Sequence, residues 1–256
     1  MLDPSQIDAF DRDGLIHLDA PFAPDAIAAA AEAVAGLLPR LDGEDRRVRT
    51  NDFQHGAIAA LIGEPWIEAV ARDVLRADAV ELIENAIVRV HPMPGRPFSF
   101  WEHIDARYTL ADLDATPRRI GFALIVWLTD VDPTSAPMMV RPGSHRTLGA
   151  YWAEHPSAAL VGASFAELPR LAYPQPVPCH ARAGQVTLCV TAAVHGGSVA
   201  TGPRDRRSLH LGLVPRGFDP GFADIVDRRR YLAALRANLD PRRRHLIPDW
   251  TRARSC

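Results

Sequence analysis

His103-Ile104-Asp105 sets an imidazole and a carboxylate two positions apart. In a strand, residues i and i+2 point to the same face. His103 and Asp105 can therefore share the inner wall of a β barrel while Ile104 points away. Together they supply two corners of an octahedral metal site, and a third ligand must come from another strand. Among the ten histidines, His195 suits that role best. It follows the strand-like run Val186 to Val194 and precedes Gly196-Gly197, where backbone can approach a ligand closely. Two histidines and a carboxylate on one face of a metal form the facial triad of non-haem iron(II) oxygenases. The open side can hold a bidentate co-substrate and oxygen.

Arg204, Arg206 and Arg207 lie beyond His195, just before the strand-like run Leu209 to Val214. A guanidinium binds a carboxylate end-on with two parallel hydrogen bonds, which is the contact that 2-oxoglutarate needs. Arg206 shares its parity with Ser208, His210 and Gly212, a set polar enough to line a pocket. Arg207 shares the apolar parity of Leu209, Leu211 and Leu213, a set suited to packing on the scaffold. Arg206 is accordingly preferred over Arg207, although an exposed basic turn would leave the same pattern. Trp101 and Tyr108 flank the metal motif and are candidates to wall a substrate pocket.

The elements that must position these residues change character along the chain. Ser5 can cap a short helix that carries Ile7 and Phe10 and ends at Gly14. Leu15 to Leu18 follows as a short strand. A second helix begins near Pro24 and closes at Pro39, and Glu64 to Leu75 forms a third. From about residue 80 the runs Val80 to Val90, Ile120 to Leu128, Gln185 to Thr191 and Leu209 to Val214 are of strand length and rich in β-branched residues. Turns such as Pro92-Met93-Pro94-Gly95 and Arg141-Pro142-Gly143 separate them. After Phe222 the pattern is helical again. The expectation is one domain over 1–256: a helical part to about 78, a mainly β jelly-roll core from about 80 to 215, and a helical tail from about 222.

Composition narrows the partners. The 256 residues carry 29 Lys plus Arg against 31 Asp plus Glu, a net charge of -2. That balance gives no reason to expect nucleic acid or an anionic membrane as partner. The runs Arg228 to Arg230 and Arg242 to Arg244 are expected to be solvated helix faces. Cys179, Cys189 and Cys256 form neither a metal spacing nor an even disulfide set, which suits a reducing cytoplasm. No signal peptide or bilayer-spanning run is visible.

Five segments in order resemble the phytanoyl-CoA dioxygenase family of iron(II)/2-oxoglutarate oxygenases. These are Gln6 to Ile16, Trp101-Glu102-His103-Ile104-Asp105, Trp127-Leu128-Thr129-Asp130, Val140-Arg141-Pro142-Gly143-Ser144-His145, and Val194-His195-Gly196-Gly197. Arg206 falls at the family's usual distance beyond the distal histidine. The resemblance implies a double-stranded β-helix (cupin-like) core, iron(II) on His103, Asp105 and His195, and 2-oxoglutarate on Arg206, with O2 as oxidant. It also makes Asn85 and Arg89 candidates for reaching 2-oxoglutarate. His145 is then a structural residue of its turn, and His91 and His180 are polar loop residues. Two positions depart from the family pattern. Gly197 stands where a hydroxyl residue usually assists the arginine, and Arg141 stands where an apolar residue is usual. Arg141 is thereby a candidate for an anionic substrate group, or for a surface salt bridge.

The implied reaction is hydroxylation of an unactivated C–H bond of a small molecule, in the manner of natural-product tailoring. The carboxylate of Asp105 argues against halogenation, whereas desaturation, epimerisation and cyclisation use the same triad. A non-catalytic jelly-roll binding protein and a zinc hydrolase are the competing classes. No His-Glu-x-x-His motif supports the second.

Overall fold

The structure, a computed structural model, describes residues 1–40, 47–156, 162–220 and 225–248. The chain opens with helix α1 (Pro4–Asp13), strand β1 (Leu15–Asp19) and helix α2 (Pro24–Leu37). Asp3, not Ser5, caps α1. Its carboxylate accepts from the Gln6 N–H while the Gln6 side chain reaches back to the Asp3 N–H, a reciprocal capping box. Gly14, at φ 76°, ends the helix in the left-handed conformation that glycine adopts without penalty. The short strand β2 (Arg47–Thr50) and helices α3 (Gly56–Ile62) and α4 (Pro65–Leu75) precede the long strand β3 (Val80–Val90).

The remainder alternates short strands with helices: β4 (His103–Ile104), α5 (Leu110–Asp114), β5 (Phe122–Trp127), β6 (Met138–Val140), α6 (Ser144–Glu154), β7 (Ala163–Ser164) and β8 (Val177–Cys179). Strands β9 (Gln185–Val190), β10 (His195–Gly196) and β11 (Arg206–Pro215) and helix α7 (Ile225–Asn238) follow, with short 3-10 helices at Phe165–Glu167 and Pro241–Leu246.

The strands form two antiparallel sheets flanked by helices. The larger has the order β1-β9-β5-β11-β3-β2, and the smaller has the order β7-β4-β10-β6-β8. Among the described residues these sheets do not join into a closed barrel, so the expected barrel interior is instead a space between two sheets. The expected strand-like run Val186 to Val194 is strand only as far as Val190, and His195 stands on β10 in the other sheet.

Register decides which side chains face that space. Arg206, Ser208, His210 and Gly212 of β11 lie opposite Val90, Val88, Ala86 and Glu84 of β3. On the far side of β11, Ser208, His210 and Gly212 lie opposite Trp127, Ile125 and Ala123 of β5. Residues directly opposite in a sheet share a face, so this set is the inner one. Between Gly212 and Leu213 the register slips, and Ile83 has no partner on β11. The outer face carries Leu209, Leu211 and Phe122 under the helices. Phe122 meets Phe10 of α1 edge-on, with ring centroids 6.2 Å apart.

Candidate metal centre and its cavity

His103, Asp105 and His195 converge. Their ligand atoms all lie within 4.8 Å of one another. The cause is a cross-strand pair: His195 of β10 lies opposite His103 of β4. Asp105 follows β4 and is tied down through its backbone, because its N–H donates to the Thr191 carbonyl at 2.8 Å. The Asp105 carboxylate oxygens stand 3.3 Å from His103 Nε2 and 3.5 Å from His195 Nε2. His195 Nδ1 lies 2.9 Å from the Ala193 carbonyl and donates to it. That bond fixes the tautomer and leaves Nε2 as a lone-pair donor turned toward the carboxylate, as a metal-ligating imidazole requires.

Electrostatics agree with that assignment. Burial alone would raise the Asp105 pKa, but His195 and His103 outweigh it and the net shift is downward. Burial likewise lowers the His195 pKa. A carboxylate kept ionised beside an imidazole kept neutral is the donor set that a divalent cation takes.

Arg206 enters the same cavity from β11. It is buried, one terminal nitrogen donates to the Ala136 carbonyl, and its guanidinium lies 5.5 Å from the Trp127 ring centroid. Trp127 is in turn held by its indole N–H, which donates to Thr187 Oγ1 at 2.7 Å. The Arg206 Nε has no hydrogen-bond partner among the described residues. Burial and the neighbouring Arg47 both disfavour its charge. A buried guanidinium with donor capacity to spare fits a carboxylate, so the cavity suits 2-oxoglutarate as well as a metal. The cavity encloses about 330 Å³, at the small end of ligand sites.

The other candidate residues stand elsewhere. Arg207 turns outward and pairs with Asp205 at 2.9 Å. Arg204 pairs with Asp132 at the surface. Asn85 and Arg89 share the outer face of β3, opposite Leu211 and Arg207, so neither reaches the cavity. Arg89 binds Asp205 at 2.7 Å and the Leu38 carbonyl, at the end of α2, at 2.8 Å. The expectation that both residues contact 2-oxoglutarate is therefore corrected.

Arg141 is engaged by Glu102 through two bonds, of 2.8 and 2.9 Å, and lies over the Phe165 ring. It is a strap beneath the metal motif rather than a group facing the cavity. Tyr108 is buried beside the centre rather than in its wall. Its hydroxyl accepts from the Gly121 N–H at 2.9 Å and bonds Thr191 Oγ1 at 3.2 Å. It thereby braces the residue whose carbonyl anchors Asp105. Trp101 is 46% exposed and lies against Gly197 at the cavity rim.

The histidines outside the triad also separate. His145 Nε2 lies 3.2 Å from the Asp11 carbonyl, in keeping with a structural role. His91 lies in the loop after β3, as expected, and is fully buried there. Four charged residues of the cavity carry no local motif in the sequence: Arg47 and Arg49 of β2, Glu84 of β3 and Arg228 of α7. Arg228 corrects the expectation that its arginine run is wholly solvated.

The family model of phytanoyl-CoA dioxygenase matches residues 10–208. An ectoine dioxygenase from Nocardia farcinica is 33% identical over 168 residues, covering 59% of this chain and 55% of that protein. The chain thus spans about half the length of the curated relatives it matches. Among solved structures, the epimerase SnoN with Fe3+, α-ketoglutarate and nogalamycin RO matches with a TM-score of 0.65 and 19% identity, over 86% of this chain and 89% of that one. HygX from Streptomyces hygroscopicus with nickel, 2-oxoglutarate and hygromycin B matches with a TM-score of 0.63 and 20% identity, over 89% and 94%. At such identity the likeness speaks for the fold. The family-model match spans well over half of the sequence and includes all three triad residues and Arg206. The chain belongs to the phytanoyl-CoA dioxygenase family.

Proposed function

We propose that this chain is an iron(II)- and 2-oxoglutarate-dependent oxygenase with a double-stranded β-helix core, and that it hydroxylates an unactivated C–H bond of a small molecule. The observation that carries this is one cavity holding both the His103–Asp105–His195 triad and the buried guanidinium of Arg206. His103, Asp105 and His195 would hold the iron, and Arg206 the distal carboxylate of 2-oxoglutarate. Iron with 2-oxoglutarate and O2 supplies the oxidising power for C–H cleavage, and the protein supplies orientation and electrostatics.

The chain's own residues do the positioning. The Ala193 carbonyl holds the His195 tautomer, and Trp127 with the Ala136 carbonyl holds Arg206 in place. Ile125 and Met138 contribute apolar lining that limits water around the reacting carbon. Nothing in the charge balance or fold favours nucleic acid as a partner. No helix among the described residues is long and apolar enough to cross a membrane.

A second outcome, epimerisation, draws support from the likeness to SnoN, which is an epimerase. The two outcomes differ in oxygen bookkeeping. Turnover under 18O2 leaves the label in a hydroxylated product and none in an epimerised one.

The founding test is anaerobic addition of iron(II) and 2-oxoglutarate to the full chain. A visible metal-to-ligand charge-transfer band is expected, followed in air by slow succinate release. Asp105→Ala is expected to abolish that release. A chain that gives neither band nor succinate would sink the oxygenase reading.

A further inference from the structure

The inner face of the larger sheet carries a row of charge that the triad and Arg206 do not use. Val90 of β3 lies opposite Arg206 on one side and Arg47 on the other. Neighbouring strands lie about 4.8 Å apart, so Arg47 and Arg206 stand two strands apart on one row and face the same cavity. In the next row Val88 lies between Ser208 and Arg49. Arg49 makes an ion pair with Glu84, two turns of the pleat along β3. Arg47 is near enough to the centre to interact with Asp105, and it opposes the charge of Arg206, His195 and His210.

Counting full charges in the lining, four arginines face two carboxylates, Glu84 and Asp105, an excess of two positive charges. An iron(II) ion and a 2-oxoglutarate dianion cancel each other, so the excess persists when both are bound. Asp105 belongs to the metal and Arg206 to the co-substrate. Arg228 also bonds Tyr231, so among the described lining residues what remains for a substrate is Arg47 and Arg49 against Glu84. Glu84 pairs with the exposed Arg49, which leaves the partly buried Arg47 as the charge that a further anion would offset. Edge strand β2 presents two of these arginines at i and i+2, on one face, over the part of the cavity left for a substrate.

We propose that the substrate is a small organic anion whose carboxylate or phosphate is bound by Arg47 and Arg49 of β2. This rests on the oxygenase reading above. Arg206 holds the co-substrate at one end of the row, and the β2 arginines hold the substrate's anionic group at the other. The C–H bond to be oxidised is thereby placed between them, toward the triad. Glu84 orients Arg49 by pairing with it. Planar guanidinium groups bind either anion through two parallel hydrogen bonds.

The test uses the full chain loaded anaerobically with iron(II) and 2-oxoglutarate, and matched probes that differ only in charge. N-acetyl-leucine is set against N-acetyl-leucinamide, and phenyl phosphate against phenol. The anionic member of at least one pair is expected to perturb the charge-transfer band and to raise the thermal midpoint by about 3 °C near saturation, while its neutral partner does neither. Which pair responds identifies carboxylate or phosphate. R47Q and R49Q are each expected to weaken that response by about tenfold in affinity while the band itself persists. Equal responses to charged and neutral partners, or R47Q and R49Q responding like the unaltered chain, overturn the proposal. Loss of the band in R47Q also overturns it, because Arg47 would then serve 2-oxoglutarate. Failure of the oxygenase reading is distinguishable: the unaltered chain then gives no band before any probe is added.

Discussion

At the scale of single residues, Gly197 explains a departure from the family pattern. A Cβ at this position would stand 2.7 Å from Trp101 Cζ2, and one at Gly196 would stand 1.6 Å from the Trp101 carbonyl oxygen. The segment carrying Trp101 therefore crosses where side chains would otherwise project, and its N–H donates to the Gly197 carbonyl at 3.1 Å. A side chain at 197 would meet the indole, which must shift to admit a hydroxyl there. The neighbouring Ser198 is already committed, donating to the Pro137 carbonyl at 2.6 Å. Gly197→Ser is expected to destabilise the chain by roughly 1–3 kcal/mol, the cost of overpacking. Adding Trp101→Ala should recover much of it, read by urea unfolding of both variants. Equal stability of Gly197→Ser and the unaltered chain would show that the indole yields freely. At this scale the sequence was informative where chemistry is local. His103-x-Asp105 and His195-Gly196 follow from residue type and short spacing. Alternation likewise puts Asn85 and Arg89 on one face of β3. Which face meets the cavity depends on pairing Arg206 with Val90, a contact 116 residues apart in sequence that local pattern does not encode.

At the scale of elements, the smaller sheet is built from strands as short as two residues, yet it carries both histidine ligands. Such strands need outside support, and the Arg141–Glu102 pair supplies it. The two side chains are only 14% and 7% exposed. Arg141 follows β6, Glu102 precedes β4, and β10 lies between these two strands. The pair thus ties the outer members of the three strands that frame the ligands. Removing one partner of a buried pair strands the other charge, which costs about 3–5 kcal/mol. Arg141→Ala is accordingly expected to lose stability on that scale, with weakened metal retention in dialysis against a chelator. Arg141→Met with Glu102→Leu, which removes both charges, should be far milder. If Arg141→Ala is as stable as the double variant, the strap is not structural. Short elements are also where the sequence was least legible. β2 is four residues long, so its alternation is too brief to register, and its two arginines were missed with it. Helix α6 was missed because Arg141-Pro142-Gly143 reads as a turn. It is one, with Gly143 at φ 77°, but the same glycine also opens a helix of eleven residues.

At the scale of the whole molecule, the long helices and the strands β3, β5 and β11 were legible from periodicity, whereas their arrangement in two sheets depends on long-range pairing. One contact that joins distant parts has a measurable consequence. His145, in the first turn of α6, is 2% exposed, and its Nε2 lies 3.2 Å from the Asp11 carbonyl of α1. The ring also fills the space beside Gly14, where a Cβ would come within 2.6 Å of Nδ1. Burial drives the imidazole pKa down to about 4, the Asp11 carbonyl opposing it only in part. In an unfolded chain the same group titrates near about 6.5. Between these two values the unfolded chain binds a proton that the folded chain refuses. Acid therefore favours unfolding, and the stability contributed by neutral His145 is complete above about pH 6.5 and is lost as pH falls toward about 4. From pH 7 to pH 5 the loss assignable to this residue is about 2 kcal/mol. His17, His195 and His210 have pKa values lowered by burial as well and add to the total. The informative quantity is thus the difference in slope between the unaltered chain and His145→Gln. Urea midpoints at several pH values across that window are expected to give a shallower acid dependence for His145→Gln. Parallel curves would mean that the ring is solvated or protonated in the folded chain, and that α1 and α6 are not joined through a neutral imidazole.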